Sequence, residues 1–415
     1  MTLTSARGVA RAALRNWRTK KEFADAVFSN PLSKSGLQAA DRAFALELFY
    51  GVLRNLSLLD FWIASLRKGP IETDLRDVLR LGLYQLFIAK TREHAAVNET
   101  VELASKKQRA IVNGMLRSAI RGRSDLLRRA RTQTIDIRLS HPKFLVDRWE
   151  KNFGTAATAA LCEWNNRPPP IYARVNRLKI DRESFLAHYC GSRVLPRVSN
   201  FVELQNSAQA LAAGHCYIQD RSTAVACELL APEPGEKVLD ACAAPGGKTS
   251  YLAELMQNQG TLIAADRDLA RLSLLKENLD RLGVSIANVV HQDWTERISR
   301  EIASQAPFDR ILIDAPCSNT GVMRRRVDVR WRLKPADFSR MQARQIEIVR
   351  VAAGLLKPGG TLVYSTCSLE PEENEQVVTS LLGKISTMQL EDEHRSLPFR
   401  DHFDGAFVAR MRQLI

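Results

Sequence analysis

The sequence predicts a multidomain protein with an all-α N-terminal third, a small α+β subdomain and a C-terminal α/β half built on a doubly wound parallel sheet. Three observations lead to this fold class. Apolar residues recur at helical spacing through residues 1–131, helical and strand patterns mix in 137–215, and strands alternate with helices through 216–415. A chain of 415 residues is long enough to form three domains with these bounds.

Helices are predicted along the N-terminal third at 5–16, 20–29, 41–54, 56–66, 73–89, 94–105 and 107–120. The third of these places Phe44, Leu48 and Val52 at helical spacing, and Asp41 is its expected N-cap. Between residues 121 and 140 the apolar periodicity is lost while charge increases. We therefore expect a linker between the first two domains.

Positive charge is concentrated in the N-terminal third. Of the net charge of +14, residues 1–131 contribute 24 Lys and Arg against 12 Asp and Glu, whereas the remaining residues carry 36 against 34. This asymmetry indicates a polyanionic partner, because each neutralised phosphate releases counterions. A membrane surface is the alternative, but no segment combines a basic face, an apolar face and a lipidation signal. We expect RNA to contact this surface, with a merely solvated face as the rival interpretation, through Arg7, Arg11, Arg15, Arg18, Lys106, Lys107 and Arg109.

Composition restricts the class of protein further. Hydrophobic residues make up 45% of the chain, no apolar run reaches the ~20 residues of a membrane helix, and the N-terminus lacks the apolar core of a signal peptide. The seven cysteines include no C-x-x-C pair, which argues against a disulfide framework and a zinc ribbon. We expect a cytoplasmic protein without a metal site or a membrane partner.

The most informative stretch is a strand, glycine loop and helix at 237–256. Gly246 and Gly247 allow the backbone to approach a ligand, and Asp266 ends the next strand at a position where an acid meets ribose hydroxyls. The glycine spacings of P-loop and dinucleotide-binding proteins are both absent, which disfavours ATP and NAD. The pattern suits a nucleoside without a phosphate chain, for which S-adenosylmethionine is the candidate. A loop that only turns the chain is the alternative.

Chemically active side chains follow the ends of the predicted strands. These strands lie at 237–240, 261–266, 287–291, 309–314 and 360–366. Ligands of doubly wound sheets bind beyond the carboxyl ends of the strands. Five separate stretches place a polar or nucleophilic residue there, namely Asp240, Asp266, Asp293, Asp314 and Cys367. We therefore predict one site at this edge of the sheet.

Two motifs follow the fourth and fifth strands, Asp314-Ala-Pro-Cys-Ser318 and Tyr364-Ser-Thr-Cys-Ser368. Together with the glycine loop they closely resemble the RNA cytosine-5 methyltransferases, and the basic helical N-terminus resembles the NusB-type RNA-binding domain of their bacterial rRNA-modifying members. The resemblance covers nearly the whole chain and is strongest to the RsmB/Sun/Fmu group of the RsmB/NOP family. It implies a Rossmann-like class I methyltransferase domain that uses S-adenosylmethionine and methylates a cytosine of 16S rRNA, free or in a small-subunit precursor. We expect a monomer.

Two cysteines suit this chemistry. C5 of cytosine is a weak nucleophile, and a thiolate that adds at C6 moves electron density to C5. A second group must then help to remove the C5 proton so that the enzyme can leave. The resemblance assigns attack to Cys367 and release to Cys317. DNA cytosine methyltransferases attack from the Pro-Cys motif, so the reverse assignment stays open.

Other residues are assigned to the same site. Asp314 is expected to bond the N3 and amino edge of the base, with a turn-capping role as the alternative. Lys248 is counted as catalytic, and three roles are considered for it: it would neutralise the acids, bind the base or only cap a surface turn. By analogy with the family, Asp266 holds the ribose and Asp293 faces the adenine amino group. The complete cofactor set is Cys242, Ala243, Ala244, Pro245, Gly246, Gly247, Lys248, Asp266, Asp293 and Asp314.

Two expectations concern residues around the site. Arg324-Arg-Arg326 would contact phosphates beside a flipped-out cytosine, with a solvated basic loop as the rival. Family members commonly carry proline where this chain has Val327, which affects the shape of that loop. Buried structural positions are expected for the cysteines without a chemical role, Cys162, Cys190, Cys216 and Cys227.

Three other functions compete. A non-catalytic RNA-binding factor on a methyltransferase scaffold would not need both thiols and the cofactor acids. A DNA cytosine methyltransferase would leave Tyr364-Ser-Thr-Cys367 without a role. A tRNA-directed member of the family is disfavoured only by the resemblance of the helical N-terminal domain.

Overall fold

The computed structural model describes residues 4–195 and 200–415. The first three residues of the predicted helical domain and four residues of the predicted α+β subdomain lie outside this description. Contacts divide the chain into two compact units, one formed by Met1–Pro168 with Met323–Leu333 and the other by Pro169–Val322 with Lys334–Ile415. The predicted fold class is confirmed, while the three predicted domain boundaries stay a prediction.

The described part of the first unit is helical. Its helices are α1 (Ala6–Thr19), α2 (Ala24–Ser33), α3 (Ala39–Arg54), α4 (Leu56–Leu66), α5 (Thr73–Phe87), α6 (Glu93–Leu103), α7 (Arg109–Arg121), α8 (Arg123–Arg131), α9 (Ile135–Arg138), α10 (Lys143–Phe153), α11 (Thr155–Asn166) and, from the later segment, α18 (Val329–Arg332). The apolar face predicted for α3 is correct at its centre, where Leu48 and Val52 are fully buried in the core. Asp41 lies inside the first turn of α3 rather than at its N-cap, which is Gln38, because the helix begins two residues earlier than expected.

The linker predicted at 121–140 was wrong, because α8 and α9 occupy that stretch. Leu126 and Ala130, one turn apart, are buried in the helical core. The guanidinium of Arg129 lies over the Phe61 ring at 5.8 Å from its centroid. Two apolar positions among so many arginines form too weak a period to be recognised in the sequence.

Segment Met323–Leu333 belongs to the helical unit through specific contacts. Asp328 Oδ2 accepts a hydrogen bond of 2.9 Å from Ala24 N in the first turn of α2. Trp331 Nε1 donates to the Leu53 carbonyl at 2.8 Å. Val327, at the position where the family commonly carries proline, is fully buried in the helical core. The segment therefore forms part of the core of this unit.

Arg330 is the most enclosed charge of that segment. Its side chain is fully buried and donates to the carbonyls of Ser140 at 3.2 Å and Asn165 at 3.0 Å. Burial lowers the pKa of Arg330 to about 9. The neighbouring His141 is also buried, with Nδ1 2.8 Å from the Leu139 carbonyl. Burial, followed by the charge of Arg330, holds the pKa of His141 well below its usual value.

The second unit contains two sheets. The smaller is antiparallel with strand order β2-β3-β1-β4, and it is accompanied by α12 and α13. The elements are β1 (Ile171–Val175), α12 (Arg182–His188), β2 (Arg193–Val194), β3 (Phe201–Leu204), α13 (Ala208–Ala212) and β4 (Cys216–Ile218). It matches the predicted α+β character of this region.

The larger sheet has seven strands in the order β10-β11-β9-β8-β5-β6-β7. Its strands are β5 (Lys237–Asp240), β6 (Thr261–Asp266), β7 (Ala287–His291), β8 (Phe308–Asp314), β9 (Leu356–Thr366), β10 (Met388–Ser396) and β11 (Ala406–Gln413). The helices of this region are α14 (Val225–Leu230), α15 (Gly247–Leu255), α16 (Leu269–Leu282), α17 (Arg300–Gln305), α19 (Ala336–Ala353), α20 (Glu375–Leu382) and α21 (Pro398–Asp401), with short 3-10 helices at Arg221–Thr223 and Thr320–Val322.

The five predicted strands are the five parallel strands of this sheet. The antiparallel pair β10 and β11 was not predicted. β10 is an edge strand whose interior residues are nearly all exposed and largely charged, so it lacks the alternation by which strands are recognised. Among the described residues, no helix combines the length and the apolar character that crossing a membrane requires.

A buried ion pair joins the smaller sheet to the helix that follows the glycine loop. Arg174 on β1 pairs with Glu254 on α15, and both side chains are almost completely enclosed. The guanidinium of Arg174 also stacks on Tyr251 at 4.6 Å and donates to Ser250 Oγ at 2.8 Å. Because removal of one partner would leave a buried charge uncompensated, this pair fixes α15 against the sheet.

We predict that the helical unit loses stability as the pH falls below about 6.5. Unfolded His141 takes up a proton there, whereas the native side chain stays neutral because its pKa is held far lower. The unfolded state then binds more protons, so the free energy of unfolding falls with a limiting slope of about 1.4 kcal/mol per pH unit. Urea denaturation between about pH 7.5 and 5.5 measures the slope.

The variant His141→Gln should lose this part of the pH dependence. His94→Gln serves as its control, since His94 is an exposed histidine of the same unit. An equal slope in His141→Gln and the unmodified protein would exclude His141 as its source.

Candidate active site

The parallel strands place the predicted residues at one edge of the larger sheet. Because parallel strands end on the same side, their carboxyl-terminal residues meet there. Asp240, Asp266 and Asp314 are the last residues of β5, β6 and β8, while Cys367 directly follows β9. Asp293 lies two residues beyond β7. The predicted convergence of these stretches is therefore correct.

The two motif cysteines are in contact. Cys317 Sγ and Cys367 Sγ lie 3.2 Å apart, at the ends of the paired strands β8 and β9. Cys317 is only 7% exposed, whereas Cys367 is half-buried. The hydrogen bond with Cys367, burial and the charge of Glu373 raise the pKa of the Cys317 thiol well above its usual value. Cys317 is thus held as a protonated thiol at neutral pH.

A buried polar network binds the two cysteine motifs together. Both carboxylate oxygens of Glu373 accept from the backbone N–H of Ser318 at 3.1 Å, and one also accepts from its hydroxyl at 2.9 Å. The hydroxyls of Ser318 and Ser368 lie 3.1 Å apart. Burial raises the pKa of the fully enclosed Glu373. Since these serines directly follow Cys317 and Cys367, the network fixes the distance between the thiols.

Backbone contacts strengthen the same connection. Gly321 N donates to the Cys367 carbonyl at 2.9 Å, and Gly405 N donates to the Gly321 carbonyl at 2.8 Å. A Cβ atom at Gly321 would lie 2.6 Å from the Gly405 oxygen and 2.8 Å from the Cys367 oxygen. Only glycine allows this close approach of three chain segments.

Lys248 forms an ion pair with Asp314. Lys248 Nζ lies 2.6 Å from Asp314 Oδ2, at the start of α15. Burial opposes the charge on Lys248, but the charge and hydrogen bond of Asp314 outweigh it and raise the pKa of Lys248 to about 12. Of the three roles considered for Lys248, neutralisation of an acid is the one for which the structure contains the contact.

The glycine loop surrounds a buried carboxyl group with unused hydrogen-bonding capacity. Asp240 is fully buried, and its Oδ2 accepts from Thr249 Oγ1 at 2.7 Å. Within the described part of the chain, Asp240 Oδ1 has no hydrogen-bond partner. Burial raises the pKa of Asp240 to about 7. Buried polar atoms in proteins are normally paired, so this oxygen indicates a place for a donor from a ligand.

Turn amides hold the other two acids. Asp266, 6% exposed, accepts from Ala244 N and Asp268 N, each at 3.1 Å. Asp293 accepts from the backbone N–H of Thr295 at 3.0 Å and from its hydroxyl at 2.9 Å. The Thr295 N–H is the main cause that lowers the pKa of Asp293, which is charged at neutral pH. Each carboxylate keeps lone pairs for further donors.

Cys242 lies in the loop, where burial and the nearby acids raise the pKa of its thiol well above the usual value. This thiol is therefore protonated and unreactive at neutral pH. Among the residues that the structure describes, His, Cys, Asp and Glu side chains form no group of three or more arranged to hold a metal ion.

Comparison with known proteins identifies the family. A Bacillus subtilis protein named probable ribosomal RNA small subunit methyltransferase B is 34% identical over an alignment that covers 100% of both chains. The chain therefore belongs to the ribosomal RNA small subunit methyltransferase B family. The Proteus mirabilis protein named ribosomal RNA small subunit methyltransferase B is 36% identical over 91% of this chain and 92% of its own length.

Family models and a solved structure agree with this membership. The family described as 16S rRNA methyltransferase RsmB/F matches residues 227–412, the NusB family matches 4–121, and the ferredoxin-like domain of RsmF/B-like methyltransferases matches 141–189. A crystal structure of a methyltransferase homologue from Pyrococcus horikoshii is 32% identical, with a TM-score of 0.59, and covers 68% of this chain and 98% of that one.

The phosphate-binding role predicted for Arg324 was wrong. Arg324 is 7% exposed and stacks on the Trp164 ring at 4.2 Å from its centroid. Its guanidinium donates to the carbonyls of Arg167 at 3.3 Å and Pro168 at 3.0 Å. A run of arginines does not reveal which member is enclosed, since burial depends on the aromatic ring and carbonyls that it meets. Arg326 is exposed.

The predicted RNA-contacting residues fall into two groups. Internal contacts engage four of them, because Arg18 pairs with Asp74 and Asp77, Arg109 pairs with Glu102, Arg7 donates to Gln85 and Arg11 donates to the Leu103 carbonyl. Arg15, Lys106 and Lys107 form the second group and are exposed, as Arg18 also is. Four of the seven predicted cations therefore also make contacts within the helical unit.

The sequence interpretation missed several residues of the site. Glu373 lies in the acidic run Ser368-Leu-Glu-Pro-Glu-Glu-Asn374 directly after Cys367, and that run was the available signal. Asn319 could not be recognised as a site residue from the sequence, because its contacts depend on a left-handed backbone conformation at φ 59°. The burial expected of Cys190 was wrong, because its thiol is exposed, whereas Cys162, Cys216 and Cys227 are buried as predicted.

We predict that Gly321→Ala lowers the free energy of unfolding of the second unit by about 1–3 kcal/mol, because the added Cβ would push apart the carbonyls of Gly405 and Cys367. Thermal unfolding measures the loss. Gly114→Ala is the matched control, since Gly114 lies within α7 and its Cβ would meet no atom within 4 Å. That helix position should gain about 0.5–1 kcal/mol. Equal unfolding temperatures for Gly321→Ala and the unmodified protein would contradict the close approach.

Proposed function

We propose that the protein is an S-adenosylmethionine-dependent methyltransferase that modifies C5 of a cytosine in 16S rRNA, acting as a cytoplasmic monomer. The observation that supports this most directly is the contact of two thiols, 3.2 Å apart, at the ends of neighbouring strands. Addition of a thiolate to C6 of a pyrimidine, followed by elimination, can use two such thiols, one for attack and one for release.

The residues of the glycine loop fit the cofactor. Asp240 Oδ1 is an unpaired buried acceptor, and Gly246 has a φ of 106° that allows the backbone to lie close to a ligand. Asp266 is expected to bond the ribose hydroxyls, and Asp293 the adenine amino group. The loop residues 242–248 would line the remainder. When bound, S-adenosylmethionine supplies the electrophilic methyl group that C5 accepts.

The environments of the thiols favour Cys367 as the nucleophile. Cys367 is half-buried and accessible, whereas Cys317 is enclosed and keeps its proton at neutral pH. In the proposed reaction, Cys367 Sγ bonds to C6 while the C5–C6 π electrons become available at C5. After methylation, loss of the C5 proton restores the double bond and breaks the S–C6 bond. Because Cys317 carries a proton at neutral pH, it would accept the C5 proton while it passes its own proton to the departing Cys367 sulfur, 3.2 Å away.

Asp314 is suited to bind the edge of the base. Its ion pair with Lys248 uses Oδ2, and about a third of its side chain remains exposed. A carboxyl group here would bond N3 and the exocyclic amine, and it would assist the ring in accepting electrons from the thiolate. Lys248 would then hold Asp314 in place and balance the surrounding acids.

The basic helical unit is proposed to bind the rRNA. Its match to the NusB family and the exposed cations Arg15, Lys106 and Lys107 support this role. Two relatives named as small-subunit rRNA methyltransferases, aligned over at least 91% of this chain, support 16S rRNA as the substrate. A polyanion held in this way gives binding that weakens with salt.

Asp266→Ala should weaken S-adenosylmethionine binding by about 1.5–3 kcal/mol, the range for hydrogen bonds to a charged group. Calorimetric titration of the cofactor measures the change. Asp280→Ala is the control, because Asp280 is an exposed acid on α16. An unchanged affinity in a folded Asp266→Ala protein would remove Asp266 from the ribose role.

The two cysteines should behave differently when they are replaced. Cys367→Ser cannot attack C6, so it should be inactive and bind 16S rRNA only reversibly. Cys317→Ser should still attack and methylate but fail to release the product. With cofactor and rRNA it should form a complex that survives denaturing electrophoresis, and bisulfite sequencing should locate the modified cytosine.

The double variant Cys317→Ser/Cys367→Ser is the control and should form no adduct. Accumulation of adduct in Cys367→Ser would instead show that attack comes from the Pro-Cys motif. Absence of adduct from every variant would contradict the proposed covalent mechanism.

A further inference from the structure

Asn319 contacts both cysteine motifs through one side chain. It lies two residues after Cys317, in the left-handed region with φ 59°. Its Nδ2 donates to the Cys317 carbonyl at 2.9 Å. Its Oδ1 accepts from Cys367 Sγ at 3.2 Å. Asparagine is one of the few residues other than glycine that adopt this conformation readily.

The orientation of the amide follows from its partners. A carbonyl oxygen can only accept, so the Asn319 atom that faces the Cys317 carbonyl is the nitrogen. The amide oxygen is thereby directed at Cys367 Sγ, where it can only accept the thiol proton. The contact therefore favours one rotamer of Cys367, with the thiol hydrogen directed at the amide oxygen.

Charged and titratable groups surround Cys367 on several elements. Cys317 Sγ, after β8, lies at 3.2 Å. Lys248 on α15 interacts electrostatically with Cys367 and is itself paired with Asp314 at the end of β8. Glu373, which follows Cys367 along the chain, acts on Cys317. Asn319 adds an uncharged amide to this set, and its oxygen accepts from the Cys367 sulfur.

We propose that Asn319 is a positioning residue for Cys367, whose amide oxygen orients the thiol and lowers the reactivity of its sulfur by accepting the thiol hydrogen. This inference rests on the proposed function, in which Cys367 attacks the base. In this proposal Asn319 neither contacts the cofactor nor transfers a proton. Asn319 acts through the Cys367 sulfur, so the reactivity of Cys367 without RNA is the property to measure.

The test is the pH profile of Cys367 alkylation by iodoacetamide in the full-length, freshly reduced protein, read by peptide mass spectrometry. Asn319→Gly removes the acceptor but tolerates the left-handed backbone. It should increase the alkylation rate of Cys367 at neutral pH by about two- to tenfold, which corresponds to one hydrogen bond. Asn319→Asp places a negative charge beside the sulfur and should move the profile upward by about one pH unit.

Two controls exclude a general loosening of the structure. Asn258→Gly removes an asparagine with a similar left-handed conformation, φ 55°, from the loop before β6, and it should leave the Cys367 profile unchanged. Cys190 is exposed and provides an internal reference whose alkylation should be the same in every variant.

The proposal is supported if the alkylation profile of Cys367 moves to lower pH in Asn319→Gly and to higher pH in Asn319→Asp, with both controls unchanged. Unchanged Cys367 profiles in the two variants, or shifts in the same direction, overturn it. Alkylation requires neither RNA nor cofactor, so this experiment can fail without affecting the proposed function. The adduct experiment with Cys317→Ser tests the proposed function separately.

Discussion

The site depends on the contact between the ends of two neighbouring parallel strands. β8 and β9 pair in register up to Asp314 and Ser365, so the segments that leave them begin side by side. Glu373 then binds the segment after β8, and Gly321 leaves no space between that segment and the Cys367 carbonyl. The short distance between the two sulfurs follows from this arrangement of the backbone.

Ion pairing and burial set the charges of the acids at the same edge of the sheet. Acids gather there because β5, β6 and β8 each end in one, and burial would make that cluster unfavourable without compensation. Lys248 supplies a buried positive charge beside Asp314, while Asp240 has its pKa raised to about 7 and so gives up part of its charge. Among the described residues Asp240 Oδ1 stays without a hydrogen-bond partner, while the contact with Cys367, burial and Glu373 keep Cys317 protonated.

The helical unit uses its arginines for two purposes. Arg330 and Arg324 are enclosed by carbonyls and an aromatic ring, where a delocalised, weakly hydrated guanidinium is easier to bury than an ammonium. They belong to a segment that begins six residues after Cys317, so this part of the chain contributes to the core of the helical unit rather than to a mobile basic loop. Exposed cations such as Lys106 and Lys107 remain for a polyanionic partner.

The sequence by itself determined the fold class, the five parallel strands and the convergence of Asp240, Asp266, Asp314 and Cys367, because periodicity is a local property and parallel strands end at a common edge. Tertiary structure alone decided which polar groups meet. The edge strand β10, the enclosure of Arg324 and the contact of Asn319 with Cys367 depend on partners far away in the sequence. Local patterns contain no information about such partners, since burial and hydrogen bonding are set by what the chain brings alongside them.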